Sequence, residues 1–346
     1  MTHRFPIKEI ARQAGLGSAT VDRAINNRAH VSPQTRARVE AAIQELAGQE
    51  AQLAARGRRM FFDFIIEAPN RFSREVREAT QQVLPEIGAA VCRPRFLTQE
   101  IMTEAEVLQA LARVGKRGSH GICLKVRDLP SVRRAVDALS ASGIPVVTLV
   151  TDVKTPGRIG YVGLDNRSAG RTAAYLASQM LGDAPGSVLA TRSNDRFAGE
   201  EERETAFVEA LAATRPNLRI VHMSGGSGVH HQTSRLMDQV IGRLGGLRCV
   251  YSMGGGNRSI LEALDAHGLR PHLYIAHDLD RENRALIAAG RLTFILHHDL
   301  KEDVHNVFRA FLCHHKLMSG AMGTCASHIQ IISPDNIPPD DWFHPR

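Results

Sequence analysis

Nine short apolar runs follow one another from Met60 onward: FFDFIIEA, HGICLKV, PVVTLV, YVGLD, SVLATRS, RIVHMS, CVYSMG, LYIAHD and TFILHHD. Each has the length and residue types of a strand buried on both faces. Most are separated by amphipathic helical stretches, such as 166–181 and 199–213. Regular β–α alternation leaves few architectures open, because parallel neighbours need helical crossovers that then cover both faces of a sheet. Nine strands are more than one small sheet holds, so the expectation is α/β, with two doubly wound parallel lobes.

The first 59 residues follow a different pattern. They hold ten Lys/Arg against five Asp/Glu, which leaves only +2 of the formal +7 for the rest of the chain. Ile7, Ile10, Ala11 and Ala14 recur at helical spacing, Gly15 ends the stripe and Leu16-Gly17 makes a turn. Ser18 is the expected N-cap of a second helix through Asn26, which buries Val21, Ala24 and Ile25. Ser32-Pro33 starts a third helix, whose stripe Val39, Ala42, Ile43 and Leu46 closes a small core. Two helices joined by a tight glycine turn and braced by a third form an all-α helix-turn-helix. Its second helix would enter the major groove of double-stranded DNA. Arg23 is the candidate for direct readout, since a guanidinium bonds guanine O6 and N7 together. Thr20, Asp22 and Arg23 fall on or near the outward face. Thr20, Ser32 and Thr35 suit phosphate contacts, and Arg28 adds positive charge beside them. A generic three-helix bundle is the alternative.

Doubly wound sheets bind ligands at the carboxyl ends of their strands. That rule nominates Asn70, Arg71 and Phe72 after the first run, Asp152 after the third, and Arg196 and Arg203 around the loop after SVLATRS. It adds Asn257 after CVYSMGGG, Asp278 at the end of LYIAHD, and His298 at the end of TFILHHD. Acids, arginines, an asparagine and an aromatic face suit a sugar or polyol, whose paired hydroxyls take Asp and Arg.

Other chemistries find little support in the motifs. SGGSG and MGGGN give neither GxGxxG nor GxxxxGK[ST], so no nucleotide cofactor is expected. The pairs His230-His231, His297-His298 and His314-His315 are adjacent residues that point in different directions, so no metal site is expected. No nucleophile elbow appears, and no catalytic residue is nominated. Five scattered cysteines without a CxxC pair read as reduced thiols. No apolar run reaches eighteen residues, and the N-terminus lacks the apolar segment of a secretory signal, so a cytoplasmic location is expected.

Several of these motifs together resemble the lactose/galactose repressor family of bacterial regulators. In the head, the matching stretch is IKEIARQAGLGSATVDRAIN…VSPQTRARVEAAIQEL, with its A-x-x-A-G turn, A-T-V-x-R-x-x-N helix ending at Asn26, and V-S-x-x-T-R-x-R-V. The resemblance places Ser18 and Ala19 where operator bases are selected, and Arg23 at the base-contacting arginine. Asp22 stands where serine is usual; an acid there repels phosphate, so it is expected to face a base donor or to pair with a neighbouring arginine. In AGQEAQLAARGRRM the family carries a hinge helix whose leucine wedges into the minor groove. Leu53 is the one candidate, and a flexible basic linker stays open as the other reading. In the body, VGLDNRSAGRTAAYL matches D-N-x-x-G-x-x-A, and RETAF matches R-x-x-G-F, which puts Arg203 at the inducer-binding arginine. AHDLD matches G-F-D-D through Asp278, with His277 at the usual phenylalanine. GGGNRSILEAL displaces Asn257 by about one position, and VTD leaves the role of Asp152 open.

The resemblance implies a periplasmic-binding-protein-like body, a homodimer on a near-palindromic operator, and a repressor controlled by a small effector through induction or corepression. The chain then divides into a head at 1–48, a hinge at 49–59 and a body at 60–346. Within the body, lobe 1 takes about 60–162 and 293–323, and lobe 2 takes 163–292 and 324–346. The competing function is a cytoplasmic Rossmann-like enzyme that binds a small molecule and carries an accessory DNA-binding head.

Overall fold

The computed structural model describes residues 4–29, 31–55, 58–194, 197–226, 229–320 and 323–339, with side chains left aside at 48–55. The head consists of α1 (Ile7–Ala14), α2 (Ser18–Ile25) and α3 (Pro33–Ala55). Gly15 ends α1 at φ 61°, a left-handed conformation that glycine adopts without a Cβ penalty. Ser18 is not the cap expected of it. Gly17 is the extended residue before α2, and Ser18 is already helical and exposed. Ser32 does cap α3, its Oγ accepting from the Thr35 amide at 3.1 Å. Ile10, Val21, Val39, Ala42 and Leu46 fill a core made of head residues alone. No backbone break falls at the expected head–hinge boundary of 48/49, because α3 runs on to Ala55. EAAIQELAGQEAQLAA is rich in Ala, Glu, Gln and Leu, which favour continuation of a helix.

Lobe 1 is built on β1 (Arg59–Glu67), β2 (Val91–Gln99), β3 (Gly121–Lys125), β4 (Val146–Leu149), β5 (Arg158–Leu164) and the late strand β11 (Cys325–Ser327). Its sheet order is β11-β5-β4-β3-β1-β2, parallel throughout. Crossovers run through α4 (Asn70–Val83), α5 (Glu104–Arg117) and α6 (Pro130–Ala141).

Lobe 2 holds β6 (Gly186–Arg192), β7 (Leu218–Ser224), β8 (Leu247–Ser252), β9 (Leu273–His277), β10 (Phe294–His297) and β12 (Gln330–Ile332). Their order is β12-β10-β9-β8-β6-β7, with β12 antiparallel. Its helices are α7 (Asn166–Met180), α8 (Ala198–Thr214), α9 (His230–Val240), α10 (Asn257–Ala266) and α11 (Arg281–Ala288). Both lobes repeat one winding, in which the first strand lies between the second and third. Each therefore has a switch point, β1/β3 in lobe 1 and β6/β8 in lobe 2, where the crevice for a ligand opens.

All nine expected strands are present. Three more were missed: β2, β11 and β12. The VCRPRFLTQ run of β2 carries Arg93, Pro94 and Arg95, which an edge strand paired on one side tolerates. The chain changes lobes between β5 and α7, between β10 and α12 (Leu300–His314), and between β11 and β12. The expected boundaries at 293 and 324 are therefore displaced. β10 pairs with β9 and stays in lobe 2, whereas β11 pairs with β5 and belongs to lobe 1.

Candidate functional site

On the head, Ser18, Ala19, Arg23 and Asn26 are exposed, Thr20 and Asp22 half-buried. Among the described residues Arg23 is tethered only by its Nε donating to the Ala19 carbonyl at 3.2 Å, which leaves its outer nitrogens open to solvent. Asp22 is already engaged: Arg28 Nη1 lies 3.0 Å from its Oδ2, and Asn26 Nδ2 donates to its Oδ1 at 2.9 Å. The acid thus neutralises part of the positive charge expected of Arg28. The Ser32 and Thr35 hydroxyls lie 2.8 Å apart at the start of α3. Leu53 falls in the last turns of α3, and its side chain lies outside the described residues.

A cavity of about 520 Å³ lies between the lobes, lined by residues that follow the carboxyl ends of strands from both. Of the residues nominated from sequence, it brings together Arg71, Phe72, Arg203, Asp278 and His298. Arg196 lies outside the described residues. Asn70, Asp152 and Asn257 are not on the wall. Asn70 opens α4 on the exposed side, its amide donating to Glu100 Oε1. Asp152 accepts from Thr148 Oγ1 and pairs with Arg158 at 2.8 Å, so it braces the β4–β5 connection. Asn257 is 1% exposed. It accepts from the Tyr274 hydroxyl and donates to Asn283 Oδ1. Asn283 in turn donates to the carbonyls of His277 and Asp278. Asn257 therefore acts one step behind the wall, holding the loop that presents Asp278.

Asp278 itself sits at φ 65°, a left-handed conformation that Asp tolerates better than most residues, and the Asn283 amide clamps it there. Its side chain is 35% exposed, and its Oδ1 lies 3.5 Å from His298 Nε2. The other ring nitrogen of His298 lies 2.5 Å from Asp303 of α12, which also accepts from the Ser327 hydroxyl of β11. Burial would push the imidazole down, but these two carboxylates outweigh it and raise His298 to about 10. His297 beside it is pushed down to about 4 by burial and by the His298 charge. Asp278 is held well below the usual carboxylate range by His298 against the cost of burial. A carboxylate is thus kept ionised on the cavity wall.

Arg203 is 3% exposed. Its Nε donates to Asn166 Oδ1 at 2.6 Å and its Nη1 to the Met253 carbonyl at 3.1 Å. Asn166 also donates to the Tyr161 hydroxyl, whose one proton is shared by the Leu164 carbonyl at 2.8 Å and the Val150 carbonyl at 3.2 Å. This path leads from the lobe 2 arginine to Val150, whose φ of 62° is a genuine outlier for a β-branched residue. There Thr151 N donates to Leu149 O at 2.6 Å, closing a strained γ-turn on the cavity wall.

Arg71, nominated from the sequence, and several residues that the sequence reading missed join the two lobes. Arg71 Nε of α4 lies 2.8 Å from Asp280 Oδ2, at the start of α11. Gly255 makes room for that arginine, since a Cβ there would fall 1.7 Å from Arg71 Nη2. Lys154 of lobe 1 pairs with Glu202 of lobe 2 on the outside. We expect Arg71→Ala to lower affinity for a cleft ligand by about 1 kcal/mol, roughly fivefold, by favouring open lobes. Calorimetry measures the affinity and small-angle scattering the opening. Unchanged scattering and affinity would mean that the pair is not a latch.

A model of the periplasmic binding protein domain matches residues 65–305. A model of bacterial regulatory proteins of the lacI family matches residues 6–47. Over 45 residues the chain is 49% identical to the HTH-type transcriptional regulator TreR of Salmonella typhimurium, a match spanning 13% of this chain and 14% of that protein. GanP, a glucose-galactose binding protein from Geobacillus stearothermophilus, superposes with a TM-score of 0.71 at 16% identity, over 81% of this chain and 99% of its own. A Bacteroides fragilis protein described as a LacI transcriptional regulator gives 0.71 at 14% identity, over 81% of this chain and 98% of its own. The chain belongs to the periplasmic binding protein domain family and carries in front of that domain the DNA-binding head of the lacI family of bacterial regulatory proteins.

Proposed function

We propose that the chain is a sequence-specific DNA-binding transcriptional regulator, acting in the cytoplasm as a homodimeric repressor. A small sugar or polyol between the lobes sets its operator affinity, and the cleft acts as a receptor without a catalytic step. One observation carries the reading: a helix-turn-helix head and a two-lobed cleft lined by strand ends of both lobes lie on one chain. Arg203 and the ionised Asp278 supply a donor and an acceptor for neighbouring hydroxyls, and Phe72 and Phe197 supply apolar faces for a ring. The names of GanP and the Bacteroides fragilis protein point the same way, one for the cleft and one for the combination. The effector changes DNA binding only by as much as it binds the free and operator-bound states differently.

The test starts from an operator isolated by selection from random duplexes. Operator affinity is then measured with and without each member of a sugar and polyol panel. A sugar that enters the cleft by calorimetry yet leaves operator affinity unchanged defeats the regulatory reading. On the same operator, Arg23→Ala is expected to cost about 1–3 kcal/mol and to flatten preference at one base position. An unchanged base preference would remove Arg23 from direct readout.

A further inference from the structure

Lys125, which ends β3 in lobe 1, is 8% exposed and faces the cavity. Its ammonium carries three donors. It meets one acceptor, the Glu67 carbonyl at 3.3 Å, and two rings, Phe197 at 4.5 Å and Phe72 at 5.1 Å. Phe72 belongs to lobe 1 and Phe197 to lobe 2, so the charge sits between rings of both lobes. Among the described residues no carboxylate comes within ion-pair distance of it. The acids around it are engaged elsewhere. Glu67 takes Arg127 and the Met102 amide, Glu200 takes the amide and hydroxyl of Ser193, and Asp278 takes His298. Burial accordingly pushes the Lys125 ammonium below the usual lysine range.

Arg203, across the cleft on α8, is in the same position. Among the described residues its two acceptors are an amide and a carbonyl, and no carboxylate pairs with it. Two buried cations on opposite lobes, each without an anion, are costly for a closed cleft unless something negative enters between them. Six Lys/Arg side chains line the cavity against five carboxylates. A neutral sugar offers hydroxyl acceptors but no charge.

Building on the sugar or polyol reading above, we infer that the effector is an anionic polyhydroxy compound whose carboxylate or phosphate oxygens sit between Lys125 and Arg203. Its hydroxyls then meet Asp278, whose own charge is balanced by His298. Because one cation comes from each lobe, the anion is held fully only when the lobes close. Recognition and closure are thereby the same event, which gives the ligand a different affinity for the two states.

The experiment titrates full-length protein with three matched series built on glucose, galactose and arabinose, each as neutral sugar, aldonate and terminal phosphate. At least one aldonate or phosphate should bind about tenfold to a hundredfold more tightly than its neutral parent. The two anionic arms decide between carboxylate and phosphate. Lys125→Met, similar in length and apolar, should erase that preference and leave the ligand-free protein at least as stable in urea. Lys125→Gln repeats the titration if the methionine variant fails to fold. A neutral sugar that binds as tightly as both of its anionic forms overturns the inference and leaves the sugar reading standing. Preference for an anion that survives both Lys125 variants overturns it as well. Binding by no member of any series overturns the inference and the sugar reading together.

Discussion

Deletion of residues 1–58 is expected to lower operator affinity by about three orders of magnitude or more, to the level of non-specific binding or below. The charge distribution sets this scale, since nine Lys/Arg against five Asp/Glu, +4 of the formal +7, lie in residues 1–58. Phosphate neutralisation by Lys and Arg supplies non-specific affinity, and α2 adds base readout. The remaining body should stay folded. The head core contains residues 5–47 alone, and the four body clusters contain none of them. Circular dichroism and calorimetry on the truncated protein should therefore show intact lobes and undiminished effector binding. Band shifts with the selected operator measure the loss, and full-length affinity should fall steeply as salt rises through counterion release. DNA affinity that persists in the truncated protein would place the interface on the body instead.

Asp303→Ala is expected to destabilise the protein by about 3 kcal/mol or more, the scale of breaking a buried ion pair by removing one partner. Asp303 is fully buried, accepts from Ser327 and is the main source of the raised His298 ionisation. Without it, His298 can shed its proton, which limits the cost to the lower end of that range. The pH dependence follows from the direction of the shift. His298 rises in the folded state from 6.5 to about 10, so its contribution is complete below about pH 6.5 and is lost as pH climbs through 10. Asp278 is shifted the other way, so its contribution holds above pH 3.8 and fades as pH falls through its lowered folded value. The stability gap between wild type and Asp303→Ala should thus be widest near pH 6 and narrow toward pH 10. Urea unfolding of both proteins at pH 6, 8 and 10 measures it. A gap that is constant across that range would separate Asp303 from the His298 charge.

The residues in this relay illustrate how unevenly the site could be read in advance. His298 and Asp278 end strands whose apolar runs are plain, so strand-end logic reached them. Asp303 and Ser327 carry no local signal. They meet His298 because α12 and β11 return to lobe 1 after β10 has stayed in lobe 2. Asp152 and Asn257 also follow strand ends, yet both turn away from the cavity into bracing bonds. A place on the rim does not say where a side chain points. Lys125 lies inside the apolar run HGICLKV and was not nominated, although its neighbours in space are two rings and a carbonyl.

What could be read along the chain is what depends on neighbours within a dozen residues. These are the nine buried strands, the amphipathic helices, the Gly15 turn, the Ser32 cap and the basic head, all set by side-chain period, backbone chemistry and charge. Edge strand β2 escaped because one-sided pairing admits the Arg and Pro that erase the apolar pattern. Only the tertiary structure decided the Arg71–Asp280 latch, the Asp22–Arg28 pair, the strained turn at Val150 and the cations at Lys125 and Arg203. Each of these except the head pair and the Val150 turn joins groups brought close by lobe crossovers or by packing between lobes. Such contacts follow from how buried surfaces fit, and no periodicity along the chain encodes them.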